Sequence, residues 1–133
     1  MQSLTPLYPH VPVVSDALAA TGVPLSPVVC WGGLVFVSGI PPIDPTTGKV
    51  EIATIDRQTE LVLDHLRNCL EAAGSSLEKA LKVTVLVSNV AYYDRVNAIY
   101  AKYFPTNPPA RTFCTVASWP WPFDIEVECI ARS

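Results

Sequence analysis

The 133 residues, 14.4 kDa in mass, make up one domain's length, which excludes extended repeats and multi-domain architectures. Half of the residues are hydrophobic and only 16% are charged, against about 25% in an average soluble domain. That balance excludes intrinsic disorder and points to surface buried against another subunit. Twelve acidic and nine basic residues leave a net charge of −3, so nucleic acid is not an expected partner.

In chain order, residues 1–27 carry five of the 13 prolines and little periodicity. An N-terminal extension, about residues 1–23, is expected to lie as a cover over the body rather than to fold alone. Met1 to Val14 lacks a basic n-region, and no apolar run approaches the ~20 residues needed to span a bilayer. A cytoplasmic protein with no membrane partner is therefore expected.

Two β runs follow, Val28–Trp31 and Leu34–Ser38, flanking Gly32-Gly33, a pair suited to a tight hairpin. The Asp44-Pro45 and Thr47-Gly48 steps mark a structured turn. Ile55, Thr59, Val62, Leu66, Cys69 or Leu70, and Ala73 recur at three- and four-residue steps, which predicts a helix from near Thr54 or Asp56 to Ala73, stopped by Gly74. Lys82–Ser88 alternates with period two. A second helix is predicted after Asn89, with Tyr93, Val96, Ile99 or Tyr100, and Tyr103 or Phe104 on its apolar face. Pro105 to Pro109 breaks the chain, and strands Thr112–Ser118 and Phe123–Ala131 finish it. The predicted fold class is α+β: one domain over 1–133, a mixed β-sheet with two helices on one face. No further helix is predicted for the other face, so a partner chain is its economical cover.

Cys30, Cys69, Cys114 and Cys129 are scattered, without a C-x-x-C pair. They encode neither a zinc site nor a compact disulfide framework and read as small core hydrophobes in a reducing cytosol. No metal or cofactor is expected. His10 and His65 have no partners at ligand spacing and read as solvated or core-edge residues. On the last strand, Phe123, Ile125, Val127 and Cys129 alternate with Asp124, Glu126 and Glu128, which face the other way. Carboxylates on an outer strand commonly do no more than face solvent. If the last two strands pair, however, Arg111 comes within reach of that acidic face. Structural ion pairing is one reading. The other is a guanidinium fork for a substrate carboxylate beside a glutamate that handles protons and water.

Four segments in order carry a resemblance: Val37-Ser38-Gly39 with the following Ile-Pro-Pro-Ile-Asp-Pro-Thr-Thr-Gly-Lys-Val, Val96-Asn97-Ala98-Ile99-Tyr100 with Phe104, Pro109-Ala110-Arg111, and Ile125 through Ala131. Together with Glu71-Ala72-Ala73-Gly74 they resemble the RidA, or YjgF, family of imine and enamine deaminases over about Pro24 to Ala131. The resemblance implies a chorismate-mutase-like homotrimer with sheets packed around the threefold axis and sites between subunits. It implies a small imino or enamine acid as substrate, hydrolysed to a 2-keto acid and ammonia without a metal. By position, Arg111 is similar to the arginine that binds the substrate carboxylate and Glu126 to the carboxylate that positions water. Ser38 and Gly39 resemble a pair lining the pocket, Asn97 an asparagine near the same cleft, and Thr112 and Phe113 supply backbone contacts.

Leu25 stands where the archetypal deaminases carry a tyrosine, which removes a hydroxyl. Phe113 stands where they carry cysteine, and Cys114 falls one position later, on the opposite face of its strand. Trp119-Pro120-Trp121-Pro122 is bulkier and more rigid than the corresponding loop. A wider or more apolar imino acid follows from these changes. The alternative function is a non-catalytic trimer that binds a carboxylate ligand as a carrier or regulator.

Overall fold

A computed structural model describes residues 5–133; the first four residues of the expected N-terminal cover lie outside the described residues. The Gly32-Gly33 turn joins β1 (Val28–Trp31) to β2 (Leu34–Ile40), with φ of 60° and 80° at the two glycines. Both angles are left-handed, the conformation a two-residue type I′ turn demands and glycine tolerates without penalty.

Helix α2 (Ile55–Ala72) starts at Thr54, whose hydroxyl accepts the Arg57 N–H at 3.2 Å. It stops before Gly74, at φ 78°. Thr54→Ala removes that cap, and a loss of about 1 kcal/mol in unfolding free energy is expected, read from the denaturant midpoint at constant m-value. Next come β3 (Ala80–Val87), α3 (Tyr93–Tyr103), β4 (Ala110–Thr115) and β5 (Ile125–Arg132). The strand order is β1-β2-β5-β3-β4. All pairs are antiparallel except β3 with β4. A parallel neighbour cannot be reached by a tight turn, and α3 is the crossover that carries the chain back to the start of β4.

One sheet face is dry. Val35, Val37, Val83, Val85, Val87, Ile125 and Val127 are buried there with Leu63, Leu66 and Leu70 of α2 and Val96 and Ile99 of α3. Each such side chain contributes roughly 1.5–3 kcal/mol through its removal from water. Gln58, buried in α2, is satisfied by Ala53 and by Asp124, whose own N–H donates back to it. Asp124 also accepts from Ser88 at 2.8 Å. It therefore precedes β5 as a structural tie and does not join the row of carboxylates on the last strand. The opposite sheet face carries Phe36, Lys82, Thr84, Glu128 and Ile130 around a depression of 260 Å³ with no helix over it.

Four expectations need correction. The N-terminal segment contains a helix, α1 (Val14–Ala20), which buries Val14 and Leu18. Two buried residues four apart in a seven-residue helix carry too little periodicity to announce it. Before it, Leu7 bridges to Cys30 through two backbone hydrogen bonds of 2.9 Å. The last two strands do not pair, because β3 lies between β4 and β5. β4 also begins and ends earlier than predicted, since its limits follow the parallel register Lys82↔Ala110 to Val87↔Thr115. Among the cysteines, Cys69 and Cys129 are buried as expected, and burial pushes both thiols up to about 12. Cys114 is exposed.

Candidate active site

Position along β5 decides where Glu126 points. Ile125, Val127, Cys129 and Ala131 are buried on the helix side, and Glu126 alternates to the other face, opposite Leu86 of β3. On its other flank β2 carries a bulge. Val37 pairs with Cys129 and Ile40 with Val127, so Ser38 and Gly39 together stand opposite Glu128 alone. The extra residue brings Gly39 against the Glu126 carboxylate. A Cβ added at Gly39 would lie 3.2 Å from Glu126 Oε1, closer than an ordinary van der Waals contact, so glycine permits this approach.

The Glu126 carboxyl opens into a cleft of 420 Å³ formed with α1, the chain from Val23 to Leu25, the turn around Ile43–Ile52, and Trp121-Pro122. The lining is mostly aliphatic. Burial there pushes the Glu126 carboxyl up to about 7; the Trp119 indole beside it opposes that shift, and the Glu128 charge reinforces it. Trp119 is itself steadied by Phe123, with ring centroids 4.7 Å apart. The loop Trp119–Pro122 thus supplies both a partner for the carboxylate and a wall. Its role as a partner escaped the sequence reading, which had only the bulk of the loop as a signal.

Arg111 lies elsewhere. It pairs with Val83 on β3 and so faces the helix side of the sheet at the β4 edge. Its guanidinium donates to Asn97 Oδ1 at 2.7 Å and sits over the rings of Tyr100 at 5.0 Å and Phe113 at 5.7 Å. Phe113 is held in turn by an edge contact with Tyr93 at 4.8 Å. Tyr100 lies one turn after Asn97 on α3, so both reach the same guanidinium. Its hydroxyl is buried without a hydrogen-bond partner, and burial pushes that phenol up to about 12 against the opposing charge of Arg111. Arg111 forms no salt bridge among the described residues, unlike Arg57, Arg67 and Arg95. Stacked on two aromatic faces and short of an anion, it has the character of a receptor for a planar carboxylate.

The expected site residues therefore separate into two groups. Leu25, Gly39 and Glu126 line one cleft, while Arg111, Asn97 and Phe113 form a cluster on the other side of the sheet. Ser38 is beside Gly39, but its hydroxyl donates to the Ser26 carbonyl at 2.7 Å. Arg111 does not reach the acidic face of β5: an intervening strand and the sheet itself separate them. His65, expected at the core edge or in solvent, is buried, with Nε2 2.6 Å from the Ile43 carbonyl. That contact pins the turn lining the Glu126 cleft to α2. Burial lowers the pKa of His65, which favours the neutral ring. No cluster of three metal-ligating side chains occurs among the described residues, and no helix there is long and apolar enough to cross a membrane.

Comparison with known proteins adds a lineage to this geometry. The family described as Endoribonuclease L-PSP matches residues 14–133. The chain is 41% identical over 115 residues to Reactive Intermediate Deaminase A, chloroplastic, of Arabidopsis thaliana, covering 86% of this chain and 61% of that one. It thus spans about three fifths of that relative's length. The crystal structure of a conserved Rid-family protein from Yersinia pestis superposes with a TM-score of 0.89 at 32% identity, covering 97% of this chain and 100% of the other. The Escherichia coli protein TdcF, solved with bound serine, gives 0.78 at 30% identity, covering 84% and 89%.

Proposed function

Because the chain belongs to the Rid family, we propose that it hydrolyses reactive 2-imino and enamine acids to 2-keto acids and ammonia. The observation that carries this reading is Glu126, a carboxyl poised at about 7 in a mostly aliphatic cleft. A general base is most effective when its pKa lies near the working pH.

The imine carbon is already electrophilic once its nitrogen is protonated, so the site has to anchor the acid, orient it and aim one water. Arg111 grips the carboxylate through paired N–H donors. Glu126 takes a proton from water as the oxygen bonds to the C=N carbon. It returns that proton to nitrogen, then takes the remaining hydroxyl proton of the carbinolamine as the carbonyl forms, the C–N bond breaks and ammonia leaves. An enamine is first protonated at carbon to give the imine. Asn97 positions the guanidinium, and backbone groups around Thr112 and Phe113 complete the carboxylate subsite.

Arg111 and Glu126 lie on opposite faces of one sheet, on strands that β3 separates. One substrate therefore meets both only across an interface, with Glu126 from one subunit and Arg111 from the next in a homotrimer. The uncovered sheet face with Phe36 and Ile130, in a chain short of charge, is the surface such an assembly would bury. The test is direct: 2-aminoacrylate generated by a dehydratase should yield pyruvate and ammonia faster with the protein than in buffer. Equal rates overturn the proposal.

A second reading, a trimer that binds a carboxylate ligand without turnover, draws on one observation. Leu25 has no hydroxyl and that of Ser38 is committed to Ser26, so neither assists Glu126. Calorimetry showing Arg111-dependent binding of a 2-keto acid, with no imine turnover, would select it. RNA cleavage, which the family's description names, gains no support from a net charge of −3 or from the apolar lining of the cleft.

A further inference from the structure

The surroundings of Glu126 are unequal. On one side the β2 bulge brings Gly39 against it, where an added Cβ would lie 3.2 Å from Oε1 and 3.5 Å from Oε2. The two oxygens are nearly level with the bulge, so Gly39 admits the carboxylate without favouring either of them. The directional contact comes from Trp119, whose indole N–H donates to the carboxylate. Burial and the Glu128 charge both favour the neutral acid, and Trp119 opposes them.

The loop holds the indole in place. It follows β4 from Val116, whose N–H donates to the Val87 carbonyl at 2.9 Å, and reaches β5 through Asp124. Asp124 is tied to Gln58 and Ser88. Between these anchors Phe123 is buried, and the Trp119 ring lies on it with centroids 4.7 Å apart and ring planes inclined by 31°. Pro120 and Pro122 restrict the backbone between the two rings. Packing alone accounts for the ring on Phe123. It does not account for an indole N–H directed at the carboxylate of the cleft. Indole carries one donor and no acceptor, so it cannot relay a proton. It binds an ionised carboxylate more strongly than a neutral acid, and by occupying one oxygen it leaves the other to accept from water.

We propose that Trp119 is a positioning residue for the hydrolysis: its N–H holds one oxygen of Glu126 and directs the other toward the attacking water. The inference rests on the deaminase reading and adds to it the residue that orients the base. Without the indole N–H, burial and Glu128 act unopposed, and Glu126 stays protonated to higher pH.

The full chain is tested in two ways, one of them independent of turnover. Indole N–H resonances are followed by NMR from about pH 5 to about pH 9. The three tryptophans give three resonances, and the one missing from Trp119→Phe belongs to Trp119. It is expected to titrate with a midpoint at about 7 and to stop titrating in Glu126→Gln. In the kinetic arm, Trp119→Phe keeps a ring against Phe123 and removes the donor. Its pH–rate inflection is expected to move up by about one pH unit, lowering activity at neutral pH about fivefold while the high-pH plateau stays within about twofold. A ring that merely braces the loop would lower the plateau and leave the inflection in place. An unmoved inflection in Trp119→Phe overturns the proposal. So does the absence of any indole resonance that titrates in the unaltered protein and not in Glu126→Gln, a comparison that stands even where Trp119→Phe fails to assemble. If the unaltered protein accelerates no imine hydrolysis, the deaminase reading falls and this role with it, whatever the resonances do.

Discussion

Glu126→Gln is expected to lower kcat for imine hydrolysis by about 10²- to 10⁴-fold, the range that a positioned general base contributes. Glutamine preserves the shape beside Gly39, where the carboxylate fits against the bulge, and removes only the capacity to take a proton. In the unaltered protein, activity falls about tenfold per pH unit below about 7, where Glu126 becomes protonated, and reaches a plateau above it. Residual activity of the glutamine variant loses that inflection.

The same carboxyl leaves a mark on stability that separates folding from chemistry. Its folded pKa, about 7, is raised above the ordinary 4.5. The folded state therefore holds the proton more tightly than the unfolded chain. The stabilising contribution is complete below about 4.5 and is lost as pH rises through about 7. Glu126→Gln should consequently gain stability relative to the unaltered protein between pH 4 and pH 8, measured by denaturant midpoints. A variant that loses activity while its stability advantage grows with pH has lost a base and not a fold.

Arg111→Ala is expected to lower kcat/KM by about 10²-fold or more, because it removes a charge-assisted, partly desolvated grip on the carboxylate. It also leaves Asn97 Oδ1 without its donor and the Tyr100 and Phe113 rings without the cation above them. Arg111→Lys keeps the charge but loses the planar fork and the stacking, so it recovers only a small part of the loss. Mixing the two inactive proteins gives a sharper outcome. When Arg111→Ala and Glu126→Gln subunits are unfolded together and reassembled, some interfaces pair an intact glutamate with an intact arginine, and about a quarter of the sites regain activity. No recovery in mixed assemblies would place both groups in one subunit and overturn the interfacial site.

Local chemistry made much of the fold legible. Gly32-Gly33 encoded its turn because only glycine accepts two consecutive left-handed residues cheaply, and both take positive φ. The spacing from Ile55 to Ala73 and the stop at Gly74 marked α2 because a 3.6-residue repeat must face one core. The alternation on the last strand put Glu126 on the side away from that core, for the same reason at period two. Helix α1 stayed hidden, since its two buried residues gain their meaning from the cleft it closes.

The sequence by itself therefore determined every element but α1, the single mixed sheet, the family, and which residue types stand at Arg111 and Glu126. Each of these rests on neighbours within a few positions or on motifs in a fixed order. Only the tertiary structure decided that β3 separates β4 from β5, that Arg111 faces α3 while Glu126 faces an apolar cleft, and that burial brings this carboxyl to about 7. Strand order and desolvation depend on segments far apart in the chain, on the bulge at Gly39 and the wall from Leu18 to Trp121. Local periodicity carries no information about which distant surfaces meet.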